Sequence, residues 1–125
     1  VLIPLPRLNL WMGLMIRSFI DSGVLIAAAR GQTDLSTTAL RILAEKDRAF
    51  ASSIFIQLET QPKATFHKQQ LEAKDLAVIY GLGGMDALHI AAALLINADQ
   101  FVTTEKITKP MHRVTEIQMV SIARN

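Results

Sequence analysis

Short apolar runs alternate with stretches of helical period along most of this chain, and that alternation limits the fold more than any single residue does. Ile16–Ile20, Phe50–Ser52, Phe101–Thr103 and Met119–Ile122 read as strands. Helical patterns lie between them, over Val24–Arg30, Thr33–Arg48, Ala64–Tyr80 and Met85–Ile96. Ser53 to about Thr60 suits another helix, although Ile54, Phe55 and Ile56 also suit a strand. In Thr33–Arg48, Leu35, Ala39, Leu40, Leu43 and Ala44 recur along one side, with Asp34 or Ser36 available as cap. Arg41, Glu45, Lys46, Asp47 and Arg48 then form a solvated face. Met85–Ile96 is apolar on almost every side, which predicts a buried helix. Strands that alternate with helices imply an α/β domain with a short, mainly parallel sheet. Helices on both faces make it a three-layer α/β/α arrangement.

The size suits one domain, because 125 residues fall short of the ~150 typical of a domain. Half the residues are hydrophobic and 19% are charged, which excludes a disordered acidic or basic tail. Thirteen Lys and Arg against eleven Asp and Glu leave +2, too little for bulk charge to indicate nucleic-acid binding. The chain has no cysteine, so disulfide scaffolds, Cys-based zinc sites and thiol catalysis are excluded. A cysteine-free chain fits the cytoplasm. The first twenty residues are apolar, but Pro4, Pro6, Arg7 and Arg17 interrupt them. The uncharged run Leu8–Ile16 has nine residues, against the ~20 that span a bilayer. It has the length of a signal-peptide core. A start at Met12 or Met15 is the other reading. Residues 1–14 are therefore set aside as an N-terminal extension, and the domain is taken as 15–125.

In parallel sheets, ligands bind outside the carboxyl ends of the strands. That rule sorts the carboxylates. Asp21 directly follows the first strand, and Glu59 comes a few residues after the second. Asp86 starts the buried helix, and Glu105 comes two residues after Phe101–Thr103. Four acids from distant parts of the chain would then meet at one end of one sheet. Such a cluster repels itself unless protons or a cation neutralise it. Oxygen-only ligands favour Mg²⁺ or Mn²⁺ over zinc. A divalent ion held by carboxylates in an open cleft suits phosphodiester hydrolysis.

These residues resemble a family. Phe19-Ile20-Asp21-Ser22-Gly23-Val24-Leu25 looks like the opening motif of PIN domains. Met85-Asp86-Ala87-Leu88-His89-Ile90-Ala91, followed by Phe101-Val102-Thr103-Thr104-Glu105, is similar to their closing block. Ser53 to Glu59 resembles the middle block that delivers the second acid. The resemblance covers roughly Ile16 to the C-terminus. It implies a PIN-like fold and a metal-dependent ribonuclease acting on RNA, and many small bacterial PIN domains are VapC-type toxins held by an antitoxin protein. Position by position, it implies Asp21, Glu59 and Asp86 as acidic metal-site residues. Glu105 stands where the family often has Asp, with Thr103 or Thr104 as a hydroxyl neighbour. Ser22 replaces a frequent Thr, and Gly23 stands where Asn is common. Glu59 and Asp86 are only twenty-seven positions apart, shorter than the family's usual interval. The shortening implies that Leu71, Leu76, Val78 and Ile79 must cover surface that a longer segment would shield, and apolar area left exposed in this way predicts a homodimer or weak aggregation. It also implies a second acid out of place and weak turnover.

Plainer readings stand beside these. Asp21 and Asp86 are each placed to cap a helix. Glu59 reads equally as a surface helical residue, and Glu105 beside Lys106 as an exposed pair. His89 shares a helix face with Asp86 and reads as a hydrogen-bonded core residue, while His67 and His112 read as surface residues. Lys106, Lys109, His112 and Arg113 suit either phosphate contact or a solvated loop. Gly81-Leu82-Gly83-Gly84 after Leu76–Tyr80 offers a rival, a dinucleotide-binding turn, but Asp86 occupies the position where that fingerprint needs glycine. The rival of another class is a PIN-like remnant that binds a partner without turnover.

Overall fold

The computed structural model describes residues 15–52 and 63–123, with only the backbone for 63–66. Four strands, β1 (Ile16–Ile20), β2 (Arg48–Ser52), β3 (Gln100–Thr103) and β4 (Gln118–Ser121), form one sheet in the order β2-β1-β3-β4. Every pairing is parallel. The helices are α1 (Ser22–Arg30), α2 (Asp34–Leu43), α3 (Lys63–Tyr80) and α4 (Gly84–Leu95), with a 3-10 helix at Pro110–Arg113. This is the three-layer α/β/α architecture that the alternation predicts.

Strand side chains alternate between the two faces, and each face carries its own core. On one face Phe19 stacks on Phe101, with ring centroids 5.4 Å apart, and α3, α4 and Met111 of the 3-10 helix pack over them. On the other, Ile20 and Val102 pack with Val24 and Ala27 of α1 and Ala39 and Ile42 of α2. Ser18, one step from Phe19, turns toward the second face and is buried there. A polar ladder crosses the sheet through it: Arg48 donates to Ser18 Oγ (2.8 Å) and to Gln100 Oε1 (2.5 Å), and Gln100 donates to Gln118 (3.1 Å).

That ladder explains the largest differences from the sequence reading. β2 starts at Arg48 rather than Phe50, because Arg48 pairs with Ile16 and its guanidinium joins the ladder. For the same reason α2 stops at Leu43 instead of running to Arg48. Its cap is Thr33, whose Oγ1 accepts from the Ser36 N–H at 3.0 Å, and neither Asp34 nor Ser36 fills that role. Ser36 is buried, whereas Leu40 and Ala44, placed on the buried side by periodicity, are exposed. α3 stays helical to Tyr80 and ends at Gly81 with φ +70°. No strand precedes the glycines, so the dinucleotide-binding turn is excluded. Among the described residues, no helix is long and apolar enough to cross a membrane.

Candidate functional site

β1 is flanked by β2 on one side and β3 on the other. Past its end the chain enters α1 on one face of the sheet. Past β3 it enters the 3-10 helix, whose Met111 packs on the opposite face. Two neighbouring strands whose continuations part in this way make a topological switch point, where open parallel sheets leave a crevice for ligands. Asp21 lies on one lip of that crevice, and Thr103, Thr104 and Glu105 lie on the other.

Asp21 is fixed from both lips. Its Oδ1 accepts from the backbone N–H of Gly23 (2.8 Å) and Val24 (3.4 Å), which makes it the N-cap of α1. Its Oδ2 accepts from Thr103 Oγ1 at 2.5 Å, and its own N–H donates to Val102 O at 3.0 Å. The expected hydroxyl neighbour is therefore Thr103. The capping reading of Asp21 holds, and capping leaves lone-pair capacity on Oδ2 for a further donor or cation.

Thr103 Oγ1 also accepts from the Glu105 N–H at 3.0 Å, so one buried hydroxyl joins the two acidic residues. The Glu105 carbonyl is held in turn by Ser121 Oγ (2.6 Å) and by His112 Nε2 (3.0 Å). Glu105 is half-buried, at a turn tied to β4, rather than one of an exposed pair with Lys106. His112, read from sequence as a surface residue, belongs to this support. Gly23 has a local reason as well: a Cβ there would lie 2.4 Å from Thr104 Oγ1 and 3.0 Å from Asp21 Oδ1. The two lips meet too closely for the Asn that the resemblance would put at this position.

Asp86 occupies the first turn of α4, behind the N-cap Gly83, which offers no side chain. Asp86 is not the cap. α4 leads through four residues into β3 and so runs back toward the sheet's amino edge, leaving its first turn on the carboxyl side. The Asp86 carboxyl is half-buried, with no hydrogen bond or ion pair among the described residues. The His89 ring is also half-buried and lacks such a partner, contrary to its reading as a hydrogen-bonded core residue. Glu59 lies outside the described residues. Among the described residues, no three His, Asp or Glu side chains converge closely enough to hold a metal ion. Beside the crevice, two adjoining cavities of about 410 and 470 Å³ share Thr33, Leu35 and Thr104, and Lys106 lines the larger.

Periodicity gave no sign of Ser121, His112 or the Gly23–Thr104 approach, because each depends on how β3 and β4 pair. The hydroxyls clustered at the strand ends, Thr103-Thr104 and Ser121, were the visible trace. Comparisons with family models, with curated proteins and with solved structures found no match to this chain.

Proposed function

We propose that the chain is a metal-dependent ribonuclease of PIN type, hydrolysing RNA phosphodiesters at the crevice between β1 and β3. The observation that carries this is Asp21: a carboxylate at the switch point, anchored by Thr103 from the neighbouring strand end. Asp86 supports the reading because it is an acid on the same side of the sheet and has no partner among the described residues. Hard carboxylate oxygens fit Mg²⁺ or Mn²⁺, with Asp21 and Asp86 as the main ligands and Glu59 and Glu105 as contributors. When bound, such an ion binds a phosphate oxygen and lowers the pKa of a water. Thr103 orients Asp21, while Ser121 and His112 hold the Glu105 turn. Lys106 beside the crevice suits a phosphate contact along the RNA. A small antitoxin protein is the partner that the PIN reading brings with it, and the cytoplasm is the compartment.

One observation favours a second reading, a PIN-like module that binds a partner without turnover. Asp21 already accepts three hydrogen bonds, and no third acid joins it among the described residues. Thermal unfolding with and without Mn²⁺ separates metal binding from its absence, because a ligand that binds only the folded state raises the midpoint. A rise in wild type that Asp86→Ala abolishes supports the site. An equal shift in both proteins removes Asp86 from it.

A further inference from the structure

We infer that the groove between α1 and α2 binds single-stranded RNA beside the crevice, with Arg30 and Lys106 each holding a phosphate. The choice of RNA rests on the nuclease reading above, and the groove adds the strandedness and the path. Its two adjoining cavities, of about 410 and 470 Å³, are each of a size that one small ligand fills. Gly23 lines the smaller cavity, and a Cβ there would meet both Thr104 and Asp21. The groove therefore opens directly beside the Asp21 carboxylate. From Gly23 it follows α1 past Ile26, which is 51% exposed, to Arg30 in the last turn. At 1.5 Å per residue that path is about 10 Å long. The larger cavity leads instead to Lys106.

The lining chemistry matches a splayed nucleotide strand. Ile26 and Leu35 offer apolar surface to the faces of unstacked bases. Thr104 lines both cavities, and its hydroxyl has no hydrogen-bond partner among the described residues, which leaves it for a ribose or phosphate oxygen. Arg30 and Lys106, one on each cavity, are exposed and without an ion pair among the described residues. Cations at two ends of an apolar surface suit phosphates outside and bases within. A duplex keeps its bases stacked on one another and cannot lay them on this surface. Asp34 is the acid among the described lining residues, and it stands in the larger cavity. It repels phosphate from that wall and so directs the strand toward Lys106.

The test is fluorescence anisotropy of labelled oligouridine with the full chain in EDTA, across a range of salt. Without a divalent ion, binding is read apart from turnover. Each phosphate contact on a single strand contributes about 0.7 to the slope of log affinity against log salt. Arg30→Gln and Lys106→Gln should each reduce the slope by about that amount, and the double variant by about twice as much. Lys74→Gln, at an exposed lysine on α3, should leave it unchanged. Ile26→Ser should weaken oligouridine binding roughly two- to fivefold with the slope intact, and leave a blunt RNA duplex unaffected. Asp34→Asn should tighten binding. These five positions are exposed, so circular dichroism should show every variant folded. No binding by wild type, slopes that ignore Arg30 and Lys106, or an equal loss from Lys74→Gln would overturn the inference. Displacement of the RNA by an equal concentration of oligoaspartate would do so too, by showing a site for acidic peptides. RNA bound as described but left uncut in Mn²⁺ would support the groove and defeat the nuclease reading alone.

Discussion

Asp21 serves the fold and the proposed chemistry through different oxygens, Oδ1 toward the α1 backbone and Oδ2 toward Thr103. Asp21→Ala removes the cap and leaves a buried hydroxyl without its acceptor, which should cost about 1–3 kcal/mol in urea unfolding. Asp21→Asn keeps an oxygen for the cap and should cost less, and equal losses would contradict this division of roles. Gly23→Asn should destabilise by about 1–3 kcal/mol, since Thr104 must move away from the new Cβ. Thr104→Ala in the same chain should recover part of that loss. Sequence reading reached the acids at this scale, because a carboxylate directly after an apolar strand is a local pattern. It missed His112 and Ser121, whose roles depend on a carbonyl brought close by a long turn.

Two other carboxylates carry a pH dependence. Asp99 accepts three hydrogen bonds from Arg17, and that contact holds its carboxyl below the usual range. Glu116 is held low chiefly by the Tyr80 hydroxyl. A carboxylate with a depressed folded pKa contributes stability that is full above its unfolded value, near ~4, and is lost as pH falls through the folded one. Asp99→Asn should therefore lower the melting temperature at pH 7, by an amount that shrinks as the pH approaches 3. A constant gap across that range would show that the ion pair with Arg17 contributes nothing to the titration.

At the scale of elements, the existence and type of the four described strands and of α1 to α4 were legible, whereas the 3-10 helix at Pro110–Arg113 was not and the edges shifted by up to five residues. Hydrophobic period reports an element's middle, but its ends depend on partners. Arg48 is a strand residue because Ile16, Ser18 and Gln100 lie beside it, and nothing in its own neighbourhood says so. Leu76 shows the same limit: grouped from sequence with the exposed Leu71, Val78 and Ile79, it is buried between α3 and α4. Leu76→Ala should cost about 2–5 kcal/mol through the cavity it leaves. Val78→Ala, one half-turn away, should stay within ~0.5 kcal/mol for the monomer. Comparable losses in chemical denaturation would mean that α3 is turned differently on its neighbour.

For the whole molecule, sheet order brings two scattered acidic residues to one crevice. Asp21 and Glu105 are far apart in sequence, and they share Thr103 because β3 inserts beside β1 rather than beside β2. Strand–helix alternation gave the sheet's direction but not its order, so the crevice could be placed at one edge of the sheet but not between two particular strands. The proposed activity of this crevice is cleavage of RNA with a divalent metal. Its most direct measurement is cleavage of single-stranded and structured RNAs by the purified chain in Mn²⁺, beside Asp21→Asn and Asp86→Asn proteins shown to be folded. Mn²⁺-dependent cleavage that falls at least ~10²-fold in each variant is the predicted result. No cleavage by the wild type, or cleavage that survives both substitutions, would contradict it.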